Sequence, residues 1–255
     1  MASHSGQTPE PRVSAPRLLA HAALNARPIA LVYRLLALAA IVTGIVRYSD
    51  ILTGQPDGTT LLFYTMLSNL ICLTWMLLLI IRTVRDLRRR GPSGTSTPNA
   101  RWSGAVMMAI TVTMLIYLVV LVPTRIQDGD SDIFSLTDTL IHVVTPCLLI
   151  VDWLFFVPKG AFRRFDPLLW TLLPYTYLLF AFIFGAAGGE FTPGQRYPYP
   201  FMDVETLGLQ GVALWIVALT IALIAVGYVY LLVDRVLASI AGRSVGDPSA
   251  RTPRR

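Results

Sequence analysis

Residues 213–233 read ALWIVALTIALIAVGYVYLLV, 21 positions without one charged side chain. A helix needs about 20 apolar residues to cross the hydrocarbon core of a bilayer. A membrane strand would instead alternate over segments of about ten residues. The continuous run therefore predicts a helix that spans a membrane. Working outward from it, six such stretches emerge: Ile29–Val46, Thr59–Ile81, Trp102–Thr124, Ile133–Val157, Pro167–Gly189 and Thr206–Val233. The composition agrees, with 54% hydrophobic and only 14% charged residues and a mean hydropathy of +0.60. An ordinary soluble domain carries about 25% charged residues. A soluble enzyme and a disordered chain are excluded, and two cysteines cannot build a secreted disulfide scaffold. The expected fold is all-α: a polytopic six-helix transmembrane bundle over residues 29–235, with a flexible tail at 1–28 and a basic tail at 236–255.

The net charge of +6 is distributed unevenly. Seventeen of the 21 basic residues precede span one, follow span six, or lie between spans two and three or four and five. Only Arg47, Arg125 and Arg196 fall in the connections on the opposite side. By the positive-inside rule both termini are expected to be cytoplasmic. The charge is then topological, and nucleic acid is not an expected partner. Arginine outnumbers lysine 20 to 1, and alanine is abundant. This hints at a GC-rich bacterial genome and hence the cytoplasmic membrane. The stretch GPSGTSTPNA (91–100) reads as a solvated, flexible linker. The longer connection EFTPGQRYPYPFMDVE (190–205) is rich in aromatic residues and proline. It reads either as an ordered lid, with Tyr197, Tyr199, Phe201 and Asp203, or as an interfacial aromatic anchor.

Polar residues inside spans are costly and are functional candidates by default. Span four carries Asp138, His142 and Asp152. Asp138 and His142 are four apart and share one helix face, where a carboxylate can orient an imidazole. The plain alternative is a buried histidine satisfied by its neighbours. Pro146 removes the backbone bond to the His142 carbonyl and predicts a kink. Span two carries Tyr64, Thr65, Ser68 and Asn69, which also serve as ordinary hydrogen-bonding glue between membrane helices. Thr65 lies about 9 Å below the start of its span and His142 about 14 Å below the start of its own; a shift of about two to four residues in the span ends covers the gap, so both can sit at one level in the outer half of the bilayer. Arg34 is expected to snorkel from the end of span one. Asp152 is expected to form an interfacial ion pair or topology anchor near Lys159, Arg163 and Arg164. Cys72 and Cys147 read as small buried packers. His142 is the only histidine within a span, so a bis-imidazole haem is excluded and a zinc site is short of ligands.

Three motifs, FYTMLSN (63–69), LIHVVTPCLLIVDWLFFVPKG (140–160) and YPYPFMDV (197–204), occur in this order on six helices. Together they resemble the androgen-induced-protein family of membrane hydrolases, and in particular its bacterial Pr-six-Pr branch, over about residues 30–238. That resemblance implies a threonine hydrolase of fatty-acid esters, without metal or organic cofactor. It implies Thr65 as nucleophile and His142 as base, with membrane lipids as surroundings and a lipid ester as substrate. Beside it, helical phase suggests Asp138 as the orienting group and Asn69 as an oxyanion donor. The competing reading is a non-enzymatic lipid-binding protein or small transporter, in which the same polar cluster lines a cavity.

Overall fold

The computed structural model describes residues 23–245 apart from 55, 56 and 131. Six helices in it are long and apolar enough to cross a membrane. They are α1 (Arg27–Tyr48), α2 (Tyr64–Arg90), α3 (Ala100–Gln127), α4 (Leu136–Phe156), α5 (Asp166–Ala186) and α6 (Val204–Val245), the last broken near its start at Gly208, where φ is 65°. Short 3-10 turns at Ile51–Thr53, Gly58–Leu62 and Pro200–Met202 complete the connections. No strand is present among the described residues. Local signals set the ends. Asn99 accepts the Arg101 N–H to start α3, Ser135 accepts the Asp138 N–H to start α4, and Asp203 accepts the Glu205 and Thr206 N–H groups to start α6. Gly91, at φ 78°, closes α2.

The buried stripes follow helical spacing. On α1 they fall at Arg27, Ala30, Arg34, Ala37, Ile41 and Gly44, so small residues recur every seven positions and let a neighbour approach. On α2 Thr65, Asn69, Cys72, Met76, Leu79, Thr83 and Asp86 share one face, and on α4 His142, Thr145, Leu149, Asp152 and Phe156 do. Helix α3 is the axis, with 67% of its apolar window buried, whereas α6 is peripheral at 11%. The exposed face of α6 carries Leu214, Val217, Ile221, Val229 and Leu232, which suits hydrocarbon rather than water.

Four expectations change. Arg34 does not snorkel: it is fully buried, and its Nε donates to Asp152 Oδ1 at 2.7 Å while Nη1 donates to Thr83 at 2.6 Å. Asp152 thus pairs across the bundle with α1, not with the basic loop after α4. Lys159 instead donates to the Trp153 and Val157 carbonyls, and burial pushes its pKa down to about 8. Second, the 91–100 linker is pinned, because the buried Arg27 guanidinium donates to Gly91 O at 2.7 Å, to Ser93 O and to Ser96 Oγ at 3.1 Å. Third, residues 23–28 and 236–245, expected to belong to the tails, are part of the described structure. Ala23 is buried and α6 continues to Val245, while residues 1–22 and 246–255 lie outside the described residues. Fourth, only Cys72 is buried; Cys147 is exposed on the bundle surface.

Candidate functional site

Helix α2 begins at Tyr64, five residues later than the start of span two, because Gly58–Leu62 forms a 3-10 turn. Thr65 is therefore the second residue of the helix, at the end of the bundle opposite the termini. Helix α4 delivers His142 to the same level. The Thr65 Oγ1 to His142 Nε2 distance is 3.4 Å, and both side chains are buried. Two residues 77 positions apart in the chain, each polar inside an apolar span, meet here.

Local backbone irregularity places the imidazole. Leu140–Val144 forms a π turn, and the Thr145 N–H bonds to the Leu140 carbonyl. Pro146 has no N–H to offer, so the Ile141 carbonyl is left for a side chain, and Asn69 Nδ2 donates to it at 3.1 Å. The expected disturbance at Pro146 thus takes the form of a widened turn. A second π turn, Tyr117–Leu121, lies on α3 and also precedes a proline, Pro123, by two residues. Its Tyr117 stacks on the His142 ring, with centroids 4.1 Å apart and planes 6° from parallel. The Tyr117 hydroxyl donates to the Ile133 carbonyl, which holds the ring in place.

The second ring nitrogen decides the chemistry. His142 Nδ1 lies 3.1 Å from the Asp138 backbone carbonyl, which can only accept. Nδ1 therefore carries the hydrogen, and the Nε2 lone pair faces the Thr65 hydroxyl. The expected role of Asp138 needs correcting. Its carboxylate is 3.6 Å from Nδ1 and accepts shorter bonds from Arg125 and Ser135, each at 3.0 Å. It orients the imidazole chiefly through its main chain. Arg125 also donates to Asp130 at 2.7 Å. The Asp132 N–H and this guanidinium hold Asp130 below the usual carboxylate range.

Asn69 also departs from its expected role. Its amide donates to the Thr65 carbonyl at 2.8 Å as well as to Ile141, so both hydrogens are engaged and none is left for an oxyanion. Its buried Oδ1 has no hydrogen-bond partner, and exchanging the amide atoms would set an oxygen against two carbonyls. Ser68 donates to the Thr65 carbonyl at 3.0 Å and pairs with Thr113 of α3 at 2.7 Å.

The 190–205 connection folds over this end of the bundle. Tyr199 and Phe201 are buried, with parallel rings 5.4 Å apart. The Tyr199 ring lies beside those of Phe63 and Tyr177, with centroids 6.5 and 6.4 Å away, and this brings its phenol to the free start of α2 at Tyr64 and Thr65. Tyr197 packs on Phe182, and Asp203 serves as the cap of α6, held low by the Thr206 hydroxyl. Of the four expected lid residues, Tyr199 alone reaches the pair. Tyr117 and Ser135 escaped notice in the sequence, and Arg125 was counted there only as a charge on the side opposite the termini. An aromatic ring in an apolar span carries no polar signal, although Tyr117 and Pro123 repeat the spacing of Leu140 and Pro146. Among the described residues no group of three His, Cys, Asp or Glu side chains is placed to hold a metal ion. Comparison with known protein families, with curated proteins and with solved structures finds no match, so the reading of the site rests on this chain's own geometry.

Proposed function

We propose that the chain is an integral membrane hydrolase of lipid esters, with Thr65 as nucleophile and His142 as base. The observation that carries this reading is the buried 3.4 Å pair, with the imidazole lone pair turned to the hydroxyl. A threonine hydroxyl is a weak nucleophile at neutral pH and needs such a base. The separation is at the long end of the hydrogen-bond range, as is usual before substrate tightens a catalytic pair. Thr65 Oγ1 attacks the ester carbonyl carbon while His142 Nε2 takes its proton. The tetrahedral intermediate collapses, the C–O bond to the alcohol breaks, and the alcohol leaves with the proton held by His142. Water then attacks the acyl-threonine, His142 takes one of its protons and returns it to Thr65, and the fatty acid departs. The free N–H groups of Tyr64 and Thr65 at the start of α2, together with the Tyr199 hydroxyl, would serve as donors to the developing oxyanion. The positive-inside distribution supports cytoplasmic termini and, with them, a site in the outer half of the cytoplasmic membrane.

The test is labelling of the detergent-purified protein with a short-chain fluorophosphonate, followed by mass spectrometry. We expect an adduct on Thr65 that is absent from Thr65→Ala and falls about 10²–10⁴-fold in rate in His142→Ala. Labelling that survives in both variants overturns the assignment. Absence of any label on folded protein favours the non-enzymatic lipid-binding reading.

A further inference from the structure

A cavity of about 220 Å³ lies off the bundle axis between α3, α5 and α6. It exists because α5 and α6 meet closely only near the termini, where Gly227 lies against Pro167; a Cβ on Gly227 would sit 2.8 Å from that ring. From there the helices diverge, and one hydrogen bond from Tyr175 to Thr220 bridges the slit between them. The walls are apolar, with Ile116 and Val119 from α3, Leu178 from α5, and Leu219 and Leu223 from α6. The walls carry the hydroxyls of Tyr175 and Thr220 at the slit, and three more, those of Tyr64, Tyr177 and Tyr199, close one end, where Thr65 follows Tyr64 on α2. Beyond Tyr199 lies a second cavity of about 240 Å³, lined by Gln195, Arg196, Asp203 and Glu205. Tyr199 lines both.

We propose that the apolar cavity is a binding site for one acyl chain, entered sideways from the bilayer through the α5–α6 slit, with the carbonyl end of the chain at Tyr199. Three features select this occupant. The lining runs from Val112 to Val120 on α3 and from Ile216 to Val226 on α6. At 1.5 Å per residue this is about 12–15 Å, or roughly ten carbon–carbon bonds of about 1.5 Å. A helix of another chain, about 10–12 Å across, is too wide for so small a space. An amphiphile has the polarity that the two cavities present: apolar along the slit, then hydroxyls, then a charged chamber. The placement of a scissile carbonyl at Thr65 rests on the hydrolase reading; binding of the chain does not.

The probe is a fatty acid of about 12 carbons bearing a mid-chain diazirine and a terminal alkyne, photolysed with the detergent-purified full chain. We expect adducts on lining residues such as Ile116 and Leu219, competed by dodecanoic acid. Leu219→Trp and, independently, Ile116→Phe should each fill the cavity and reduce the adduct at least ten-fold. Leu214→Trp, on the exposed face of the same helix, should leave it unchanged. Adducts spread evenly over exposed residues such as Leu36, or indifferent to both filling substitutions in folded protein, overturn the proposal. Cross-linking that persists in Thr65→Ala without fluorophosphonate labelling of the wild type keeps the acyl site and removes the hydrolase. Labelling of Thr65 by a short fluorophosphonate without cavity adducts does the reverse.

Discussion

Asn69 shows how much one side chain does when water is absent. Its two amide hydrogens satisfy the Thr65 and Ile141 carbonyls, which belong to different helices and flank the two members of the pair. Asn69→Leu leaves the Ile141 carbonyl without that donor inside the bundle, at a cost of about 1–3 kcal/mol. We expect a lower thermal midpoint in detergent, and loss of labelling in proportion to misplacement of His142. A fall in labelling rate at an unchanged midpoint would instead mark Asn69 as a donor to the reacting oxygen. Thr65, His142, Asp138 and Asn69 were all legible as polar residues in apolar runs. Which hydrogens they spend, and on whom, depends on neighbours tens of residues away and was not. Thus the Asp138 side chain, expected at the imidazole, serves Arg125 and Ser135, and its main chain does the orienting.

At the scale of elements, the buried stripes follow from helical period, and each of the six apolar helices overlaps one expected stretch, although α2 starts five residues later and runs on to Arg90. The π turns were only half legible. Pro146 announced a disturbance, but a proline is compatible with a kink or a widened turn, and the structure has the widened turn at Leu140–Val144. The pairing of Arg34 with Asp152 belongs to this scale, because it ties α1 and, through Thr83, α2 to α4. Both charges are buried, so removing one strands the other. Arg34→Met or Asp152→Leu alone should cost about 3–5 kcal/mol, whereas the double substitution should cost far less than the sum. A double-mutant cycle on thermal or denaturant unfolding in detergent reads this directly; additive losses would mean that the pair contributes nothing as a pair.

The whole molecule adds orientation and shape. Basic residues crowd the end of the bundle that holds both described chain ends, while the Thr65–His142 pair lies at the other end. A reporter that fluoresces only in the cytoplasm should therefore be active when fused after Arg255 in bacterial cells, and a phosphatase active only outside the cytoplasm should be silent there. The opposite pattern would turn the site toward the cytoplasm.

Length, hydropathy and helical period by themselves determined six helices, their approximate ends and the short list of polar residues worth explaining. These are local properties, since the bilayer acts on each segment separately and penalises every charge at the position where it stands. Tertiary structure alone decided that Thr65 faces His142, that Tyr117 covers the imidazole, that Arg34 finds Asp152, and that α5 and α6 part to leave a cavity beside Tyr199. Each of these is a meeting of side chains from different helices. Helix neighbours and rotations are chosen by the packing of the whole bundle, a sum over many weak contacts that no single span encodes.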